Sequence, residues 1–387
     1  MSLTAPPSVI FVIHSFDVGG AQRSVMTTAA AWPSGSECSI IAARGGALFE
    51  EAQRAANIRV VAAAWPRPLA IVRFMLELRS LARKERPTAF LTNSFGVTRV
   101  MLLLKKLGGL GDSAVVVVEH STFSVKVAGL YRSRLARSGV ILLTRWLYRS
   151  ADAIIGVSDG VSRDLEQALG LPPETVTTIH NPIDVAQIQT ASNAQIPAEL
   201  EAAFGELSRP IVLTAGRMVA AKAQDDLLQA FALLPESLRG SLVILGDGPL
   251  RPELERKAEE LGIAHRVWMP GFVQNPWWFI ARADIFGLTS RWEGFGLVLA
   301  EALACGTRVF STDCPSGPRE ILQDVGSGRL APVGEPKLAA AAIAELLIAE
   351  HSSPSPAALS RYTPTAVAAR YSELIGLGSA PRGVRQR

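Results

Sequence analysis

Residues 290–309 read SRWEGFGLVLAEALACGTRV. A glycine-containing turn, Trp292 to Gly296, leads into an apolar helical pattern running from about Gly296 to Cys305, and Gly306 stands where such a helix would stop. Just before the turn, Ile285 to Leu288 is short, apolar and free of alternation, as expected for a strand buried on both faces. Strand, turn and helix in that order present free backbone N–H groups at the positive end of a helix, which suits an anionic or hydroxyl-rich ligand. Glu293 lies in the turn. Glu301 lies inside the helix between Ala300 and Ala302, where a carboxylate is costly to bury unless something donates hydrogen bonds to it. Ribose hydroxyls would do so; equally, an ordinary capped helix could carry Glu301 to its exposed edge.

The same alternation extends in both directions. Val9 to Ile13, Ser39 to Ala42, Ala89 to Thr92, Val115 to Val118 and Ala153 to Val157 read as buried parallel strands. After a break, Ile211 to Ala215, Ser241 to Leu245, Val267 to Met269, Ile285 to Leu288 and Arg308 to Ser311 form a second series, with helices such as Lys222 to Leu234 and Pro252 to Leu261 between them. Two such series imply an α/β protein of two doubly wound, Rossmann-like domains facing across a cleft at their strand ends. The expected division is 1–190, 191–362 and a closing segment 363–387. Its helix starts at Pro364 with Thr363 as N-cap and is expected to pack back on the N-terminal domain.

The 387 residues, 48% hydrophobic and 19% charged, exclude a disordered or fibrous chain and suffice for two cores. Three cysteines, Cys38, Cys305 and Cys314, form no C-x-x-C pair, so neither a disulfide framework nor a structural zinc site is indicated and a reducing cytoplasm fits. No run approaches the ~20 apolar residues of a membrane span, and MSLTAPPS lacks the pattern of a signal peptide. These first residues and the tail SAPRGVRQR from Ser379 read as disordered or added ends. The net charge of +4 conceals a division: residues 1–190 carry 20 Lys and Arg against 14 Asp and Glu, and residues 191–387 carry 19 against 21. No carboxylate occurs from His120 to Ala151, where Lys126, Arg132, Arg134, Arg137, Arg145 and Arg149 stand among Phe123, Tyr131, Trp146 and Tyr148. That composition suits an anionic membrane surface or an anionic acceptor, and equally a helix with a solvated basic face. No nucleic-acid-binding module accompanies it.

Glu293 and Glu301, separated by seven residues and enclosing Gly294-Phe295-Gly296, resemble the Glu-x7-Glu motif of retaining glycosyltransferases of family 4, which have the GT-B fold. Further segments resemble the same family in the same order over nearly the whole chain. GGAQR (19–23) looks like its N-terminal glycine loop and EHST (119–122) like its central histidine segment. ADAIIGVSDGVSRDL (151–165) and NPID (181–184) resemble the approach to the domain crossover, while AGRMVAAK (215–222), GDGPLR (246–251) and SGPREIL (316–322) resemble donor-site motifs. The family often has Gly or Asn after the lysine, where this chain has Ala223-Gln224.

The resemblance implies transfer of a hexosyl or N-acetylhexosaminyl group from a nucleotide sugar, a UDP-sugar, to a saccharide or lipid-linked acceptor in glycan synthesis, with retention. It makes Arg217 and Lys222 the diphosphate clamp and gives Glu301 the ribose. Glu293 contacts the sugar with the amides of Phe295 and Gly296, with Leu297 beside them. His120 and the Gly19-Gly20 loop would close over the donor from the first domain, with His14 a weaker candidate. Ser316 and Gly317 receive no individual role. On residue types alone, Arg217 and Lys222 also read as solvated cations, Gly19-Gly20 as a tight turn and His120 as structural. No Asp-x-Asp occurs and the five histidines are dispersed, so no metal site and no cofactor are expected. A catalytically silent nucleotide-sugar-binding subunit and a GT-B sugar-nucleotide epimerase are the alternatives. A cytoplasmic enzyme, peripheral on the cytoplasmic face of a membrane, is the expected setting.

Overall fold

The computed structural model describes residues 7–17, 19–46, 48–54, 58–62, 70–350 and 356–376. The readings of the first six residues and of the tail from Ser379 lie outside the described residues. The chain forms two compact units, the described residues of Met1–Pro182 with those of Tyr362–Arg387, and those of Ile183–Arg361.

The first unit is built on seven strands: β1 (Ser8–Ser15), β2 (Glu37–Arg44), β3 (Ile58–Ala62), β4 (Ala89–Thr92), β5 (Ala114–Glu119), β6 (Ala153–Gly156) and β7 (Val176–Thr178). They lie in the order β3-β2-β1-β4-β5-β6-β7, every pair parallel. Val9 to Val12 in β1 and Val115 to Val118 in β5 are buried, which is why these runs lack the alternation of a half-exposed sheet. The winding reverses between β1 and β4, so the loops leaving these two strands diverge and open a crevice at the carboxyl ends.

The second unit repeats the plan with β8 (Ile211–Ala215), β9 (Ser241–Leu245), β10 (Val267–Gly271), β11 (Ile285–Leu288), β12 (Arg308–Thr312) and β13 (Arg329–Ala331). Their order is β10-β9-β8-β11-β12-β13, again all parallel, with the reversal between β8 and β11. Strands β3, β7 and β13 have no counterpart among the expected runs. All three are edges of their sheets. An edge strand needs less continuous burial, and VTT and RLA are too short and polar to stand out.

The first unit ends at Pro182, short of the expected 190, because the helix Val185–Ser192 finds its packing partners in the second unit. It lies on the helices Pro276–Ile280 and Leu297–Ala304, and Asn275 Nδ2 and Arg282 donate to the carbonyls of Ala191 (2.6 Å) and Ser192 (2.8 Å). Asp184 of the NPID segment caps this helix, accepting from the Gln187 amide at 2.9 Å. The closing helix Pro364–Leu374 belongs to the first unit, packed on the helix Gly20–Ala30. Its Tyr371 ring meets Phe11 of β1 edge-on, and Arg370 donates to the carbonyl of Thr178 in β7 at 2.7 Å. Thr363 stands at the N-cap but makes no side-chain capping bond, so the fixed φ of Pro364 is what prepares the first turn. No helix among the described residues is long and apolar enough to cross a membrane.

Candidate active site

The reversal between β8 and β11 places two loops side by side, Gly216–Ala223 after β8 and Thr289–Gly296 after β11. Thr289 Oγ1 donates to the carbonyls of Lys222 (3.2 Å) and Ala223 (2.8 Å), and the Arg291 amide donates to Ala221 at 2.8 Å. The Arg291 guanidinium also reaches Asp225 and Asp226 at the start of the next helix, at 3.4 and 3.6 Å. Burial and the neighbouring Asp225 push the Asp226 carboxyl up, against the pull of Arg291. Clasped in this way, the loops bring Lys222 and Glu293 together: Lys222 Nζ lies 2.5 Å from Glu293 Oε1, with side-chain exposures of 23% and 10%. Ser290 Oγ donates to the same oxygen at 2.6 Å. A charge-assisted bond of this kind contributes about 1.5–3 kcal/mol, and more is at stake when one partner of a half-buried pair is removed. Ser290 carries no sequence signal beyond its place at the end of a strand.

Arg217, five residues before Lys222 on the same loop, is exposed and has no side-chain partner among the described residues. Its loop is held from the other side by GDGPLR. Gly246, at φ +116°, lies so close that a Cβ would fall 2.2 Å from the carbonyl oxygen of Gly216. Gly317 of SGPREIL has φ +89°, and a Cβ there would fall 1.9 Å from the carbonyl oxygen of Phe295. These two glycines are therefore required by backbone approach.

Gly296 (φ +89°) turns the chain into the helix Leu297–Ala304, close to the expected Gly296–Cys305, and Gly306 follows at φ +79°. The Phe295 ring is buried in the core, so only its backbone is available to a ligand. Within the helix, Glu301 accepts a hydrogen bond at Oε2 from the Trp277 indole, 3.1 Å away. Sequence reasoning missed Trp277. The available signal was NPWW at 275–278, a proline-started helix following a strand.

In the first unit, His120 follows β5 directly and Asn93 follows β4. Asn93 Nδ2 donates to the Leu91 carbonyl at 3.1 Å, which turns its Oδ1 toward His120 Nε2 at 2.9 Å. Nε2 must then carry the proton, and Nδ1 is left as an acceptor. That Nδ1 is buried without a hydrogen-bond partner among the described residues. Burial, aided by Lys126, lowers the His120 pKa to about 3, so the ring is neutral near pH 7. Gly19 precedes the helix Gly20–Ala30 with φ −170°, extended backbone that any residue adopts. Its conformation thus places no demand for glycine. His14 lies inside β1 rather than after it and is exposed.

Cys38, Cys305 and Cys314 are all free. Burial pushes each thiol up to about 12, which leaves them protonated and unsuited to nucleophilic chemistry.

Two doubly wound parallel sheets, with charged loops at the reversal of the second, are the architecture of a GT-B glycosyltransferase. Residues 18–187 match the family described as Glycosyltransferase Family 4, and residues 199–365 that described as Glycosyl transferases group 1. The N-acetylgalactosamine-N,N'-diacetylbacillosaminyl-diphospho-undecaprenol 4-alpha-N-acetylgalactosaminyltransferase of Campylobacter jejuni is 30% identical over 329 residues, 83% of this chain and 85% of that protein. The lipopolysaccharide core biosynthesis glycosyltransferase LpsE of Rhizobium meliloti is 27% identical over 277 residues, 72% of this chain and 70% of that one. HepE of Anabaena, solved with UDP and glucose, superposes with a TM-score of 0.76 at 19% identity, covering 95% of this chain and 98% of its own. The chain belongs to glycosyltransferase family 4 and is a glycosyltransferase.

Proposed function

We propose that this enzyme moves a hexosyl or N-acetylhexosaminyl group from a UDP-sugar to a hydroxyl of a saccharide or lipid-linked acceptor, with retention at the anomeric carbon and without a metal ion. The observation that carries this reading is the Lys222–Glu293 pair at the β8/β11 reversal, with Arg217, unpartnered among the described residues, on the same loop. Arg217 and Lys222 take the diphosphate. As the bond from the anomeric carbon to the β-phosphate oxygen breaks, negative charge grows on the leaving UDP, where preorganised cations act most strongly. The acceptor oxygen forms its bond on the same face, and its proton passes to a departing phosphate oxygen. Glu293, steadied by Ser290, addresses the sugar with the amides of Phe295 and Gly296, beside Leu297. Glu301, oriented by Trp277, accepts from the ribose. In the first unit, neutral His120 offers Nδ1 to a substrate hydroxyl.

The UDP and UDP-glucose held by HepE support the choice of base, and the diphospho-undecaprenol in the name of the Campylobacter enzyme supports a lipid-linked acceptor. An enzyme with such an acceptor works at the cytoplasmic face of a membrane. The test incubates the purified protein with UDP-, GDP- and ADP-sugars and an undecaprenyl-diphosphate saccharide, with and without EDTA. UDP release coupled to an α-linked product from an α-linked donor, unaffected by EDTA, is expected. Transfer from GDP- or ADP-sugars alone, an inverted anomer, or abolition by EDTA would each overturn the corresponding part.

A further inference from the structure

The helix Arg134–Tyr148 accounts for its inward face in the ordinary way: Thr144, Leu147 and Tyr148 are buried, and Val140 and Ile141 pack against the same core. Its outward face is apolar as well. Leu135, Leu142 and Trp146 are exposed by 86%, 64% and 49%. Spaced at i, i+7 and i+11, they form one line of about 16 Å along the helix. Leu143 lies beside them, Leu130 is exposed at the end of the preceding helix Phe123–Leu130, and Leu107 is exposed just past the packed neighbour Phe95–Lys106. Lys106 Nζ stands 4.5 Å over the Trp146 ring and joins the two helices at the surface.

The cations of this region divide into two groups. Lys105 pairs with Asp152, Lys126 with Glu119, and Arg137 donates to the carbonyls of Tyr131 and Ala128. Lys106, Arg132, Arg134 and Arg149 are exposed, and none has a carboxylate partner among the described residues. The unpaired cations thus stand at both ends of the apolar line and beside its tryptophan, in a stretch without a single Asp or Glu from 120 to 151.

We propose that this face docks on a bilayer bearing anionic headgroups, with Leu135, Leu142 and Trp146 entering the interface and Lys106, Arg132, Arg134 and Arg149 on the phosphates. Amphipathic side chains with a cationic rim meet both needs of such a surface. A second copy of the chain fits poorly, because a two-fold contact through this line would set cationic rims against each other. The inference takes up the membrane-facing part of the reading above and rests on it. Vesicle binding is measured without donor or acceptor, so its failure leaves the transfer reaction standing.

The experiment is flotation of the full chain with phosphatidylcholine vesicles, with and without phosphatidylglycerol, over a range of salt. Binding that requires phosphatidylglycerol and falls as salt rises is expected. Combining Arg132→Gln, Arg134→Gln and Arg149→Gln should weaken it roughly a hundredfold, since each cation near an anionic surface is worth about fivefold. Leu142→Glu with Trp146→Glu should abolish it while leaving transfer to a water-soluble acceptor intact. The proposal fails if the native chain does not float with either vesicle or floats equally with both. It also fails if the variants bind as the native chain does, or if the face proves to hold a dimer that the Glu variants dissociate in sedimentation. Should a variant fail to fold, the lipid and salt dependence of the native chain still decides.

Discussion

The two sheets reverse their winding at equivalent places, yet the strand ends at and beside the two reversals carry different chemistry. At β8/β11 a lysine and a glutamate, 71 residues apart, meet at 2.5 Å beside an arginine whose side chain has no partner among the described residues. In the first unit the reversal lies between β1 and β4, and at the ends of β4 and its next neighbour β5 stand Asn93 and His120, an uncharged pair whose histidine is kept neutral by burial. One topology therefore carries a charged pair at the strand ends of one sheet and a neutral hydrogen-bonded pair at those of the other. The lesson is that the fold decides where a ligand can lie, and the residues leaving the strands decide what kind.

The contrast is broken most directly by removing charge from the second unit. Lys222→Ala should lower kcat by roughly two to three orders of magnitude, the usual loss when a preorganised group facing transition-state charge is removed. Donor KM should change far less. A kcat within a few-fold of the native value, from steady-state kinetics, would show that the pair is a structural clasp between loops. Lys222→Arg keeps the charge and should recover part of the loss.

On the neutral side the prediction concerns pH. The His120 pKa in the fold is about 3, below the 6.5 of an exposed histidine, so between these values the unfolded chain binds a proton that the folded chain does not. His120 therefore leaves stability intact above about pH 6.5, and its contribution is lost as pH falls toward 3, by at most about 1.4 kcal/mol per pH unit. In denaturant titrations at pH 7 and pH 5, His120→Gln should lose less stability on acidification than the native chain. An equal loss would mean that His120 is not held neutral.

Asn93 sharpens the same point. Asn93→Leu removes the acceptor that keeps the proton on Nε2, freeing the ring to place it on Nδ1 and spoil the acceptor there. A roughly tenfold fall in kcat/KM is expected, the order of one good hydrogen bond. Asn93→Asp keeps the acceptor but adds a charge that raises the His120 pKa, so its rate should decline toward acid where the native rate stays flat. Identical pH profiles for Asn93→Asp and the native enzyme would exclude a positioning role.

How much of this was legible follows from how far each residue's reasons lie along the chain. Strands β4, β8, β9 and β11 were read to the residue, because a strand buried on both faces is a local apolar run. The edge strands β3, β7 and β13 were not, and of the edge strand β10 only Val267 to Met269 was, since an edge strand's stability comes from one neighbour rather than from its own composition. The boundary at Pro182 escaped for a similar reason: the helix Val185–Ser192 resembles any short amphipathic helix until its partners, some 80 to 110 residues later, are known. At the site, Arg217, Lys222 and Glu293 stood out as charged residues in loops after strands and Glu301 as a carboxylate inside an apolar helix, with their roles supplied by the family resemblance. Asn93, Ser290 and Trp277 did not, because each matters through a single bond to another side chain. In two motifs that resemble donor-site loops, GDGPLR and SGPREIL, Gly246 and Gly317 are demanded by close backbone approach, a reason that lies outside the local sequence.

The smallest expected effect tests whether Glu301 belongs to the charged side of the comparison. Its Oε2 accepts from the Trp277 indole, which restrains the carboxylate without neutralising it. Trp277→Phe keeps a ring in place and deletes only the N–H donor. If Glu301 binds the ribose, a loosened carboxylate should raise the donor KM by roughly three- to tenfold, since only part of the roughly 1.5–3 kcal/mol of a bond to a charged group is passed on to the ligand. The chemical step should be untouched, because the ribose is remote from the bond that breaks, so kcat should hold. Glu301→Gln would separate the two readings further. A ribose ligand loses donor affinity when its charge is removed, whereas a carboxylate serving only to anchor Trp277 should lose thermal stability with donor KM unchanged.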